Sequence, residues 1–150
     1  MCQAGESPDC FADCGPTPWT WAAEEQLLIT LINNARTGGT ACPNMGSVTR
    51  PALAVDPTLS NAAREWAWEI AHHDYYQAGA GCSGRTLAQR KIDGSFGGWQ
   101  LGYGHATAQI AFNSWMASAT ACPIVMTANS TRMSVSVAFA TEKAYVLVID

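Results

Sequence analysis

The stretch GWQLGYGHATAQIAFNSWMASATACPIVM runs from Gly98 to Met126. Three glycines, Gly98, Gly102 and Gly104, bracket its start and predict a loop. Thr107 is placed to cap a helix, its hydroxyl accepting from a free backbone N–H of the first turn. Ala108, Ala111, Phe112, Trp115 and Met116 then recur at i, i+3, i+4, i+7 and i+8, one apolar face of a helix. That helix is expected to give way by Cys122-Pro123, because proline cannot continue it and disfavours the helical region for the residue before it.

Working outward, the pattern changes on the C-terminal side. Met133, Val135, Val137 and Phe139 alternate with Ser134, Ser136, Ala138 and Ala140, the period of two of a half-buried strand. Thr141-Glu142-Lys143 can turn the chain into a β-branched return strand over Tyr145–Ile149. Asn129-Ser130-Thr131 is a glycosylation sequon, meaningful in a eukaryotic secretory host.

On the N-terminal side two more helices are expected. Residues 20–36 have Thr20 as a cap, Glu24 and Glu25 near the positive end, and Leu27, Leu28, Leu31, Ile32 and Ala35 on one face. Arg36 and Gly38-Gly39 mark its end. Asp56 caps the second helix and Pro57 occupies its first position. Leu59, Ala62, Ala63, Trp66, Ala67 and Ile70 form the face to be buried. Residues 1–18, rich in Cys, Gly and Pro, form a cysteine-rich leader or the end of an upstream repeat, and residues 19–150 the main domain.

Composition sets outer bounds. A chain of 150 residues that is 48% hydrophobic fills one core and is short for two domains. A net charge of −4 argues against a nucleic-acid partner, whose phosphates call for clustered Lys and Arg. No apolar run reaches the roughly 20 residues of a transmembrane helix. Six cysteines without a CxxC pair point to disulfides and an oxidising, extracellular setting. Met1 is followed by Cys2 and polar residues, so a processed or excised piece of a secreted protein is expected.

The 98–126 stretch also resembles the CAP superfamily: the cysteine-rich secretory, antigen 5 and pathogenesis-related type 1 domains. Bacterial members read roughly G-E-N-I-A-x-G-Y-x-T-A-x-x-x-V-x-x-W-M-x-S-P-G-H, and this chain matches without a gap at Gly98, Leu101, Gly104, Thr107, Trp115, Met116 and Ser118. LLITLINNAR resembles the family's opening helix, and the LAVDPTL run its second. Tyr75-Tyr76-Gln77 and Gly84-Arg85-Thr86 extend the likeness, which covers roughly residues 22–149. It implies an α/β fold, an α-β-α sandwich with a small, mainly antiparallel sheet between helical layers. It also implies a Cys42–Cys122 disulfide, leaving Cys2, Cys10, Cys14 and Cys82 to pair among themselves.

The family's cleft gathers two histidines and acidic residues able to hold a divalent ion. In this chain its glutamate falls on Trp99 and a histidine on Ala121. The other cleft histidine falls on Ala78, or on Gly79 if a single inserted residue lies earlier, and Trp66 stands where relatives often keep a histidine. Neither indole nor methyl ligates a metal or moves a proton, so neither cofactor nor metal is expected there. The cleft candidates are Ala78, Trp99, Gln100, His105, Ser118 and Ala121. Trp99 either plugs the cleft or lines it as an apolar surface for lipid, glycan or peptide.

Relocated chemistry has two candidates. Glu69, His72 and His73 share a helix at spacings that permit a metal site, though such groups at a helix end are more often a solvated, dipole-friendly cluster. His105 and Ser118 are 13 positions apart, about 20 Å along a helix at ~1.5 Å per residue, which rules out a nucleophile–base pair. The reading is a secreted, non-enzymatic binding or scaffolding module. The alternatives are a CAP-type hydrolase or protease with a relocated site, and a structural module of a larger cell-surface protein.

Overall fold

The computed structural model describes residues 18–73 and 98–150. In chain order the elements are α1 (Ala22–Gly38), β1 (Thr40–Ala41), β2 (Ser47–Val48), β3 (Ala54–Val55), α2 (Pro57–His73), β4 (Gly98–Tyr103), α3 (Ala108–Ala117), α4 (Ala121–Val125), β5 (Arg132–Phe139) and β6 (Lys143–Ile149). The main sheet has the order β3-β5-β6-β4, with β3 parallel to β5 and the other pairs antiparallel. A small antiparallel β1–β2 pair lies apart from it.

Helices cover both faces of the sheet. Met133, Val135, Val137, Tyr145, Leu147 and Ile149 share a core with Leu28 and Ile32 of α1, Trp115 of α3 and Val125 of α4. Ala138, Ala144, Val146 and Val148 share the other core with α2. The six α2 residues expected on its inner face, Leu59 to Ile70, are all buried there. This is the α-β-α sandwich, and it corrects the expectation of a half-buried strand at Met133–Phe139. Ser134 and Ser136 are as inaccessible as the valines between them, because α2 lies over the face they occupy.

The glycine-bracketed segment is also corrected, since Gly98–Tyr103 is strand β4 rather than a loop. It pairs with β6 from Gly98↔Ile149 to Tyr103↔Ala144. A glycine at 102 is required by close packing: a Cβ there would stand 3.2 Å from Cβ of Tyr145 and 3.3 Å from Cδ2 of His105. Gly104 has φ +73°, a backbone that turns the chain out of the strand and suits glycine.

The caps divide. Asp56 accepts from the N–H groups of Thr58 (2.8 Å) and Leu59 (3.2 Å), and Thr107 from Ile110 (3.2 Å), as expected. Thr20 does not cap α1: the N-cap position is Trp21, which makes no side-chain cap bond. Nor does one helix run on to Pro123. α3 stops at Ala117, and Pro123 sits in the first turn of α4, where a missing N–H costs nothing. Ser118 makes this break, its Oγ accepting from the N–H groups of Thr120 (3.2 Å) and Ala121 (3.0 Å).

Cys42 and Cys122 form a disulfide with Cα atoms 5.5 Å apart, tying the loop after α1 to α4 across 80 residues of sequence. Closing so long a loop removes about 4–5 kcal/mol of unfolded-chain entropy in the loop model. Cys2, Cys10, Cys14 and Cys82 lie outside the described residues. Among the described residues no helix is long and apolar enough to cross a membrane.

Candidate functional site

The strand alternation of β4 decides where its cleft candidates go. Trp99 pairs with Val148, and its side chain packs with the α2 core. Gln100 pairs with Leu147, whose side chain belongs to the core on the other face, and its Nε2 donates to the carbonyl of Leu101 at 3.0 Å. Ala121 is 2% exposed in that same opposite core, beside Cys122. Trp99 and Ala121 are therefore on different sides of the sheet. Ala78 lies outside the described residues.

Trp99 is partly buried and meets Trp66 edge-on, with centroids 5.8 Å apart and ring planes at 64°. Trp66 is the fully enclosed indole of the pair, at 1% exposure. Edge-to-face contact sets the positive rim of one ring against the negative face of the other. The side chains at Trp99 and Ala121 offer no donor to a cation, so a family-type metal does not fit these positions.

His105 meets Tyr145, and Ser118 has structural work. The hydroxyl of Tyr145 donates to the carbonyl of His105 at 2.9 Å, and the two rings lie 6.2 Å apart. Burial, aided by the charge of Glu24, pushes the Tyr145 phenol up to about 12. Ser118 is the cap between α3 and α4, with α3 separating it from His105.

Of the Glu69, His72 and His73 group, Glu69 is not solvated. Glu69 is 1% exposed, burial that a helix-end reading did not foresee. His72 is exposed and stacks on Trp68, with centroids 5.1 Å apart and planes at 19°. The His73 side chain lies outside the described residues. Among the described residues no three His, Cys, Asp or Glu side chains gather where they could hold a metal ion.

Two buried acids escaped the sequence reading. Glu65 is buried on α2, and Glu25 is buried on α1 rather than serving as exposed end-of-helix charge. Glu25 takes a forked pair of bonds from Arg64 and accepts the backbone N–H of Val137 at 3.1 Å. Trp19 Nε1 donates to the Val137 carbonyl at 3.1 Å. β3 pairs with β5 only as far as Met133, so Glu25 and Trp19 complete the edge of β5 that β3 leaves open. Arg64 also lies over the Trp19 ring, at 5.3 Å. Around them Trp19, Trp21 and Trp68 form an aromatic cluster with centroids 5.2–6.5 Å apart. Neither glutamate had a partner at helical spacing in the sequence that could have revealed it.

Asn33 and Arg36, both in the LLITLINNAR segment, tie the connections together. Asn33 pairs with both backbone groups of Leu53, at 3.1 and 2.8 Å. Arg36 is 0% exposed and donates to the carbonyls of Pro51, Val125 and Thr127 at 2.8–3.0 Å.

Solved structures share this architecture. An outer surface protein from Borrelia burgdorferi aligns with a TM-score of 0.63 at 17% identity, over 86% of this chain and 92% of that one. An extracellular protein containing an SCP domain from Bacillus anthracis aligns with the same TM-score at 15% identity, over 86% of this chain and 41% of that one. No curated protein matches by sequence. The profile of the cysteine-rich secretory protein family matches residues 29–150. With a match over most of its length and the fold to go with it, the chain belongs to the cysteine-rich secretory protein (CAP) family.

Proposed function

We propose that the chain is an extracellular, non-catalytic CAP domain that binds or scaffolds a lipid, glycan or peptide partner. The observation that carries this reading is the Trp66–Trp99 pair on the α2 side of the sheet: Trp99 stands where the resemblance sets the cleft glutamate, and Trp66 where relatives often keep a histidine. Two indoles offer apolar area and no proton-transfer group, so the position serves packing rather than hydrolysis. The candidate Ser118 is engaged through its hydroxyl in the cap between α3 and α4. An extracellular location is supported by the Cys42–Cys122 disulfide and by the outer-surface and extracellular character of the two structural relatives.

The test is turnover of peptide, ester and glycoside substrates by purified protein, with and without added zinc. The expected result is no turnover that depends on this chain's residues. Activity that is lost in His72→Ala, His73→Ala or His105→Ala would overturn the reading in favour of a relocated hydrolytic site. A second reading, a structural module within a larger cell-surface protein, is favoured by the Bacillus anthracis relative, of whose chain this domain spans 41%.

A further inference from the structure

A second place in the molecule, independent of the Trp99 side, has the makings of a binding site. The loop Thr49–Ala52 and the loop Ala128–Thr131 enclose an open cavity of about 390 Å³. That volume lies in the range of small-molecule sites, roughly 300–1,000 Å³. The residues that line it include Arg50, Thr49, Asn129, Ser130 and Thr131. No acidic residue lines it.

Arg50 is anchored by one edge. Its Nε donates to the carbonyl of Met126 at 2.9 Å, while Nη1 and Nη2 donate to no described residue. Behind it the fully buried Arg36 is held by three backbone carbonyls, and its Nη2 has no hydrogen-bond partner among the described residues. Neither arginine has a carboxylate partner there; the described ion pairs use Arg64 and Arg132 instead. The two guanidiniums act on one another, and the charge of Arg50, after burial, holds Arg36 below its usual range. Carbonyls at the C-terminal end of α4 explain why both are tolerated, but they occupy only the Nε of Arg50.

A guanidinium pinned through Nε presents its two Nη groups as a planar fork, a shape that matches a carboxylate bidentately. Hydroxyls and a carboxamide around that fork suit a ligand that itself carries hydroxyls. We propose that this cavity binds a sugar acid, with the carboxylate on the Nη edge of Arg50 and the ring hydroxyls on Asn129 and Thr131.

The experiment is a titration of isotopically labelled protein, made without glycosylation at Asn129, with glucuronate, glucose and inorganic phosphate in parallel. Saturable shifts of the Arg50 side-chain Nε–H and of the Ala52 and Thr131 amides are expected with glucuronate and not with glucose. Arg50→Gln should weaken glucuronate at least tenfold, and Arg50→Lys should not restore it, because a point charge lacks the fork. Thr131→Val leaves both arginines in place and should weaken binding severalfold, which keeps the test valid if Arg50→Gln fails to fold. Shifts with phosphate alone, equal shifts with glucose, or unchanged glucuronate affinity in the two loss-of-contact variants would each overturn the assignment.

Discussion

Glu25 shows how one residue can hold an edge of this fold. Its carboxylate answers Arg64 and the Val137 N–H at once, from a position 4% exposed. Glu25→Ala would leave a backbone donor and a guanidinium unmatched, and should cost roughly 2–4 kcal/mol in denaturant unfolding. Glu25→Gln, which keeps an acceptor for Val137, should cost less. Asp56 gives a pH-dependent counterpart. The Leu59 N–H above all, with that of Thr58 and the charge of Arg132, holds its carboxyl below the ordinary range. A carboxyl lowered on folding contributes stability above its unfolded value, near pH 4, and loses it as pH falls through the folded value. The melting-temperature gap between wild type and Asp56→Ala should thus be constant near neutrality and shrink below about pH 4. Residue-scale chemistry of this kind was only half legible. Asp56 and Thr107 announced themselves as caps before apolar runs, whereas Glu25 and Arg64 are 39 positions apart and meet only because α1 and α2 are brought together around the end of β5.

At the scale of elements, the face of α2 read well, that of α1 only in part, since Leu27 is 43% exposed, and boundaries less so. The apolar face of α2 is buried and that of α3 packs on the core, with Phe112 and Met116 half-buried, because a 3.6-residue period marks one side of a cylinder whatever it packs against. β4 was hidden by its glycines, which suggested a loop; Gly102 is there because the side chains of Tyr145 and His105 leave no room for a Cβ. β5 read as half-buried because serine and alanine alternate with its valines, yet small residues are what α2 requires when it lies close over a sheet. The helix was expected to give way by Cys122-Pro123 and does so already at Ala117, where the residue that makes the break is Ser118. Ser118→Ala should cost about 1 kcal/mol, readable as a lower melting temperature with the secondary-structure spectrum otherwise retained. Ser118→Asp or Ser118→Asn, each able to cap, should recover most of that loss.

For the whole molecule, the decisive feature is a sheet buried on both faces, with the disulfide on one side and the indole pair on the other. Replacing Cys42 and Cys122 together by alanine should lower stability by about 2–5 kcal/mol, measured as a shift in denaturant midpoint without loss of the folded baseline. The pairing was legible through family resemblance alone, since six cysteines permit many connectivities and spacing does not choose among them. The candidate cleft was legible as a set of positions but not as a place. Strand alternation sends Trp99 to the α2 side, and Ala121 is buried in the opposite core, a separation that needs the β4–β6 register to be seen. The claim that Trp99 closes the α2 side by packing on Trp66 is tested most directly by a double-mutant cycle on unfolding free energy, using Trp99→Ala and Trp66→Leu. The predicted result is a clear loss in each single variant and a coupling of about 0.5–1.5 kcal/mol between them. A Trp99→Ala variant as stable as wild type, with effects that simply add in the double variant, would contradict the packed closure and leave Trp99 as the wall of an open groove.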